Sequence, residues 1–479
     1  MRDKVLTYIA ITTMVTAVIM NAMNVYAGTP IWITDVLVSN ANIEKQQAES
    51  HIIASVSNNN NLVVALMDNS QDPNPDDDTY IYRCRAYNST DGGNTWTDRG
   101  FLPLPSGIST SNDPVVASTS DGKFFIACMA GTLTRDTHVI YWVSTDNGAT
   151  WSGPNTIRNV SGDSTLEVDK PWIAADVNDT ASRYRDNVYA CWTEIKDPNT
   201  PYEVYSIKFR KIWPSTSTIK TLASPSNPSK VQWCNIAVGK SGIIYVTWMR
   251  ELYNSTTGTY TYNVMMKRSF DGGETWSAAQ SIATFNKVTY IRGDRGVDLK
   301  ISNSPHIAVD NDGNLHLVYV TKTSAGDTEV MYRKITNCTS SSQLCTLSSV
   351  VNLSNNSKDQ WEPAITVSKK SNTVHVTALD RRDDSSNIYW NTYHYHCHLG
   401  TSTCTSSSDW SIKKVSDYPS VNLPNVKPKK FIGHYHGITA SYIVDSSAKE
   451  AYTTFTDTRY YGGVLYRNYN IFSDRTTDS

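Results

Sequence analysis

Three segments of one form, Ser-x-Asp-x-Gly-x-x-Trp, run from Ser89 to Trp96, from Ser144 to Trp151 and from Ser269 to Trp276. Each follows an alternating apolar run, as Val139-Ile140-Tyr141-Trp142-Val143 precedes the second, and each leads into a short polar segment able to form another strand. That context is a β-hairpin turn. The side chains of Ser89 and Asp91, Ser144 and Asp146, and Ser269 and Asp271 can accept backbone N–H groups a residue or two onward. Gly93, Gly148 and Gly273 supply a φ > 0 position that a side chain would resist. Trp96, Trp151 and Trp276 then have a sheet face to cover. Turn geometry explains the whole pattern, so these residues are structural and point to a repeated fold.

Upstream of each octet lie an apolar run, a turn and a second apolar run, which makes a four-stranded unit, A to D, with the octet between C and D. In the second unit these are Pro114 to Ser118, the turn at Ser120-Asp121-Gly122, Phe124 to Cys128, the strand before Ser144 and the segment after Trp151. Strand A recurs near His51, Pro114, Pro171, Cys234, Pro305, Pro363 and His436, and the A-turn-B signature is clearest from Pro305 to Tyr319. The octets resemble the Asp-box, or bacterial neuraminidase repeat, of the sialidase-like β-propellers. The resemblance implies an all-β propeller of four-stranded antiparallel blades. The A strands count seven of them, with the six blades of sialidases as the alternative. Starts lie further apart than the roughly 40 to 50 residues of most blades, and long loops account for the excess.

The seventh unit has A near Gly437 to Ala440, B at Ala451 to Phe455 and C at Val464 to Asn468, and no D follows. Ile31 to Val38 resembles the D segment Trp410 to Val415. Pairing this N-terminal strand with the last blade closes the ring and covers an edge that could otherwise template aggregation.

Lys plus Arg total 43 against Asp plus Glu 45 among 479 residues. No basic cluster suits phosphate tracking, so nucleic acid is not an expected partner. Arg2 and Lys4 precede an apolar run from Val5 to Met23, and Val25-Tyr26-Ala27 offers a signal-peptidase site, so residues 1–27 are expected to be a signal peptide and 28–479 one propeller domain. A retained anchor is the competing reading, and membrane association follows only from it. The protein is therefore expected to be secreted or at the cell surface. Eight cysteines suit that compartment. Cys338 with Cys345 and Cys397 with Cys404 share one spacing, each after a strand-like run (Val330 to Arg333, Ile388 to Asn391), and are expected to be disulfide staples where other blades have an octet. Cys84, Cys128, Cys191 and Cys234 leave their pairing open. Seven Asn-x-Ser/Thr sequons, at Asn88, Asn159, Asn178, Asn254, Asn337, Asn352 and Asn355, are compatible with surface glycosylation.

In a propeller the loops entering A and joining B to C share one face, which usually holds the ligand, while the octets lie on the other. Ligand-binding candidates there are Asp113, Asp169, Arg135, His306, Glu362, His434 and His436, with Lys170, Glu194, Arg381, Asp383, Asp384, Asp457 and Tyr460 nearby. The resemblance implies a sialidase site, in which three arginines clamp the sugar carboxylate and a Tyr replaces the usual second carboxylate. No residue takes a catalytic role by motif; by loop position, Arg250, Arg382 and Arg459, from different blades, could form a clamp, with Tyr461 nearby and Asp169 or Glu362 as acid/base. Sialidases also carry an early Arg-Ile-Pro, which is absent here. Asp380 with Arg382 also reads as an inter-blade ion pair, and the histidines as hydrogen-bonded channel residues, since no ligand spacing supports zinc. The run from Asp68 to Asp78 lacks the Gly and terminal Glu of an EF-hand; it reads as a solvated loop, with weak calcium binding as the alternative. No cofactor is expected. The preferred function is non-catalytic binding of a glycan or a cell-surface protein, the alternative a sialidase-like hydrolase with a diverged site.

Overall fold

The computed structural model describes residues 32, 34–39, 46–72, 81–293, 298–420, 432–442, 450–457, 460–461, 464–465 and 470–476. The expected signal segment, Arg459 and Asp76 to Asp78 lie outside these residues, as does the side chain of Tyr461. Seven antiparallel sheets follow one another around a ring, each of four strands except the fifth, whose outer strand is split into Thr346–Leu347 and Val351–Asn352, and no α-helix occurs among the described residues. The A strands are Gln47–Ala54, Thr110–Ser118, Leu166–Ala175, Lys230–Val238, His306–Val309, Gln360–Val367 and Gly437–Ala440. Apolar clusters fill the seams between neighbouring sheets, as where Val63, Ala65 and Ala86 of blade 1 meet Val116, Phe124 and Ile126 of blade 2. The core is therefore a circle of seams, which alternating strands covered on both faces produce.

The ring closes as expected, with a change of detail. Val36–Leu37 pairs with Asn470–Arg475, and Trp32 forms a bridge to Thr476. Val38 is fully buried among Ile52, Leu62 and Tyr452, so the N-terminal strand also seals blade 7 against blade 1. The third strand of blade 7 is Asn470–Arg475 rather than Val464 to Asn468; Val464–Leu465 instead pairs with Tyr460–Tyr461 in a separate small hairpin. Likewise strand C of blade 6 is Asn391–His398, and Ile388 to Trp390 lie in the loop before it, where Asp384 accepts the N–H groups of Ile388 and Tyr389. In both places an apolar, aromatic run in the B–C connection reads as strand C, because periodicity does not separate a blade strand from a short apolar segment beside it.

The octets behave as turn chemistry dictates. Gly93, Gly148 and Gly273 each donate their N–H to the octet's Ser Oγ at 2.9 Å, with φ of 78°, 81° and 94°. Each Asp accepts from the Ser hydroxyl and from the Thr before the Trp, at Thr95, Thr150 and Thr275. Asn61, beside the A–B turn of blade 1, donates to Asn147 in the second octet, so octets and A–B turns share one face. All eight cysteines are paired. Cys338–Cys345 and Cys397–Cys404 staple C–D connections, as expected, while Cys84–Cys128 joins blade 1 to blade 2 and Cys191–Cys234 joins blade 3 to blade 4.

Candidate functional site

The A strands share one irregularity that builds the site. In five blades a β-bulge interrupts the A–B ladder near its entry, and the bulged residue has a left-handed backbone although it is not glycine. These residues are Glu49 (φ 50°), Asp113 (54°), Lys170 (45°), Trp233 (56°) and Glu362 (50°). Such conformations cost on the order of 1 kcal/mol each in side-chain-bearing residues and concentrate at functional positions. Here they aim four charged groups and an indole at one mouth of the ring.

Lys170 organises the mouth. Its Nζ stands 2.7 Å from Glu49 Oε1 and 2.9 Å from Asp113 Oδ1, and lies 5.0 Å from the centre of the Tyr435 ring. Glu49 also accepts the backbone N–H of His434 at 3.0 Å, and Tyr435 donates its hydroxyl to Pro114 O at 2.8 Å. Blades 1, 2, 3 and 7 thus meet at one ammonium. Burial works against the charge on Lys170, but Asp113 and Glu49 outweigh it and hold its pKa above the usual lysine value.

The carboxylates around it titrate high. Burial, then the charge of Glu49, raises Asp113 to about 7 despite Lys170. Burial and the charge of Asp113 raise Asp169 to about 6. Asp136, at the start of strand C in blade 2, rises to about 7 through burial and then the charges of Asp113, Asp169 and Glu167. Glu362 is pushed well above the usual range by burial and by Glu49. Asp136 and Asp169 are half-buried, whereas Glu49, Asp113 and Glu362 are buried. Asp136 Oδ1 and Glu362 Oε1 have no hydrogen-bond partner among the described residues. Lys300, exposed, lies within electrostatic reach of Asp169.

Beneath the carboxylates the channel is stopped by rings. Trp172 meets His51 edge-on at 5.0 Å, His306 at 4.8 Å and Tyr435 at 5.5 Å. His306 and His436 are as expected channel residues, held neutral by burial at about 3, and His436 shares a hydrogen bond with Thr377. Burial, followed by the charge of Lys170, keeps His434 well below the usual imidazole value. Past this plug a cavity of about 150 Å³ opens among the smaller side chains Ala117, Ala174, Ala237 and Ala308.

Several expected site residues are placed elsewhere by the structure. Arg382 donates to Asp380 Oδ2 from Nε at 2.9 Å and from a terminal nitrogen at 2.6 Å, also reaches the Tyr395 hydroxyl, and covers the Tyr393 ring, all within blade 6. Its tie to Asp380 is therefore within a blade, not between blades. Arg250 donates to Asn263 across its own hairpin. Two members of the expected clamp are thus engaged inside their blades. Arg135 donates to the carbonyls of Val160 and Leu166 and fixes the loop between blades 2 and 3. Glu194 pairs with Arg158 and Lys208 on the flank of blade 3. Asp383 accepts from Tyr393 and Asn391, and Arg381 is buried over Trp361, bonded to Asp359. Asp457 accepts from Ser420. Asp68 pairs with Arg85 and Gln47, and Asp72 accepts from Ile81. No group of three His, Cys, Asp or Glu side chains is arranged to hold a metal ion among the described residues.

Glu49, Asp136 and Tyr435 were missed. Glu49 stands two residues before His51 as Asp113 stands two before Val115 and Lys170 two before Trp172, so aligning the A strands on their bulge would have found it. No sequence signal marks Asp136, which stands at the start of strand C in blade 2.

Fold and mouth together define a seven-bladed, octet-bearing propeller with an acidic funnel on the face away from the octets. Solved structures of similar fold include an α-L-arabinanase of Penicillium chrysogenum at 12% identity, covering 94% of this chain and 99% of that one with a TM-score of 0.48. A Hadza microbial sialidase matches at 11% identity over 93% and 95% of the two chains, TM-score 0.42. An α-L-arabinofuranosidase of Fusarium graminearum matches at 10% identity over 77% and 99%, TM-score 0.47. At these values the likeness is one of overall fold, and the blade count rests on the strand ladders themselves. No protein-family model and no curated protein matches the chain.

Proposed function

We propose that this protein is an exported propeller that binds a neutral glycan in the acidic funnel. The observation that carries the reading is the mouth itself, where half-buried Asp136 and Asp169 stand within electrostatic reach of the Glu49–Lys170–Asp113 cluster. Carboxyl groups held by a rigid scaffold are suited to sugar hydroxyls, because they offer several acceptors in a site with little water. A sialic acid is disfavoured: the funnel is acidic, and Arg250 and Arg382 are committed within their blades. Export agrees with four disulfides, two of which bind separate blades. Calorimetric titration with neutral oligosaccharides and with sialyllactose tests the reading. Binding of a neutral saccharide that Asp169→Asn weakens about tenfold is expected; preference for sialyllactose, or no saccharide binding, overturns it.

A second reading, hydrolysis of a neutral glycoside, is favoured by the raised pKa values of Asp136 and Asp169. Glycoside cleavage needs one carboxyl that holds its proton near neutrality and a second that acts as base or nucleophile. Turnover of neutral aryl glycosides, abolished by either Asp136→Asn or Asp169→Asn, would support it; turnover unaffected by both variants would sink it.

A further inference from the structure

Blade 4 differs from its neighbours in the length of its B–C hairpin, formed by Ile244–Asn254 and Thr259–Ser269, which pair without a break to Asn254 opposite Thr259. Strand A of the blade begins at Lys230, opposite Glu251, so the last turn of the hairpin rises past the ring on the funnel face. Alternation puts Glu251, Tyr253, Tyr260 and Tyr262 on one side of this projection. Tyr253 faces Tyr260 at 5.0 Å between ring centres, and Tyr260 stacks on Tyr262 at 6.5 Å and 21°. The row then continues inward through Phe285 to Tyr319. Its inner end is anchored by packing, and Lys287 ties Tyr262 to Glu251. Its outer end is open: Tyr260 is 38% exposed.

The row is continuous with the funnel. Trp233, the half-buried bulge residue of the same blade, stands at the level of the ring of charges. Trp233 and Tyr262 pack against one apolar cluster together with Phe285 and Tyr319, which joins the base of the hairpin to the mouth. We infer that Tyr253, Tyr260 and Tyr262 form a second saccharide subsite, which stacks the outer units of a neutral oligosaccharide whose inner unit sits in the funnel. Tyrosine suits this role because its ring offers an apolar face to the C–H surface of a sugar while its hydroxyl stays in water, and a row locked by packing loses little freedom on binding. A polar mouth and a row of rings beside it together select a chain over a single sugar. The inference rests on the glycan reading above and extends it.

The test uses the full chain and the linear hexaoses and bioses of arabinose, xylose, glucose and N-acetylglucosamine as probes in calorimetric titrations. At least one hexaose is expected to bind about tenfold more tightly than its biose. The double variant Tyr253→Ala/Tyr260→Ala should abolish that difference and leave biose affinity unchanged, while Tyr260→Phe should keep it. Tight hexaose binding that survives the double variant overturns the subsite and leaves the funnel reading standing, as does equal binding of hexaose and biose. Absence of binding by every probe overturns both. A melting temperature shared by the variants and the parent chain separates loss of stacking from loss of fold.

Discussion

Lys170 and Glu49 stand 2.7 Å apart although they belong to blades separated by a third, so the ammonium of blade 3 reaches across the mouth to a carboxylate of blade 1. The contact makes the mouth part of what holds the ring in register. Replacing Lys170 with Met would leave Glu49 and Asp113 facing each other in a buried site with nothing between them. Removing one partner of a buried pair costs about 3–5 kcal/mol. Equilibrium denaturation is expected to show a loss of that size for Lys170→Met, and the double change Lys170→Met/Asp113→Asn should recover part of it.

Arg382 tests the sialidase reading from the side of stability. Its guanidinium is the main partner of Asp380, whose side chain is fully buried. Arg382→Ala should therefore lower stability by about 3 kcal/mol and leave saccharide affinity in the funnel unaltered. A thermally silent variant with lost sialoside binding would restore the clamp.

The two kinds of disulfide should differ in weight. Cys84–Cys128 closes 44 residues and Cys338–Cys345 closes 7. Loop-closure entropy assigns about 4 kcal/mol to the first and about 2.5 kcal/mol to the second. Paired alanine replacements compared by denaturant midpoint check the order; a larger loss at Cys338–Cys345 would show that strain or residual structure dominates chain entropy.

The seam between blades 6 and 7 should be the acid-sensitive one. Among the described residues its apolar cluster is Val415, Phe455 and Phe472 with Trp32 and Leu37 beside them. Much of the remainder is a histidine row: His375 hydrogen-bonds His394 at 2.9 Å and Glu450 at 3.2 Å, and His394 stacks on His396 at 5.0 Å. Burial, then the neighbouring histidines, drives His394 well below its ordinary value, and burial, with His375 and Lys413, lowers His396 to about 4. A lowered folded pKa means that the unfolded chain takes up protons first, so this contribution is lost as pH falls from about 6.5 towards 4. Glu450 acts in the same direction: burial opposes its charge, but His375 holds it at about 2, and that support is lost as pH falls below about 4.5. Asp113, Asp136 and Asp169 act oppositely, being raised, and gain stability over the same fall in pH. A comparison with His396→Gln isolates the seam. The parent chain should lose about 1–2 kcal/mol more than the variant between pH 7 and pH 5, and an equal loss would refute the assignment.

How much of this was legible beforehand follows the physics of each signal. The octets carried the blades because a Gly at φ > 0 and a Ser–Asp pair are local requirements, and local requirements survive into sequence. The closing strand was visible because blade 7 lacks a fourth strand and Ile31 to Val38 has nowhere else to pair. Asp113, Asp169, Lys170 and Glu362 were placed at the mouth because each stands at the entry to an A strand. The arginines misled. A guanidinium at the end of a B strand has the same sequence appearance whether it faces a ligand or, as Arg382 does, turns back on Asp380 and Tyr395. Asp136 and the pairing of Cys84 with Cys128 depend on neighbours in another blade, and nothing near them in the chain announces those partners.

The first strand of the ring, Val36–Leu37, runs antiparallel to the last, and the bridge from Trp32 to Thr476 lies at its outer end. Tension applied through the two chain ends would therefore meet this clasp as a zipper, loading its hydrogen bonds one after another instead of all at once. The ring is in this respect mechanically soft, with a single seam that gives first. Drawn out between two attachment points, the molecule should shed its first strand at low force and expose the edge of blade 7 well before any disulfide-linked pair of blades begins to separate.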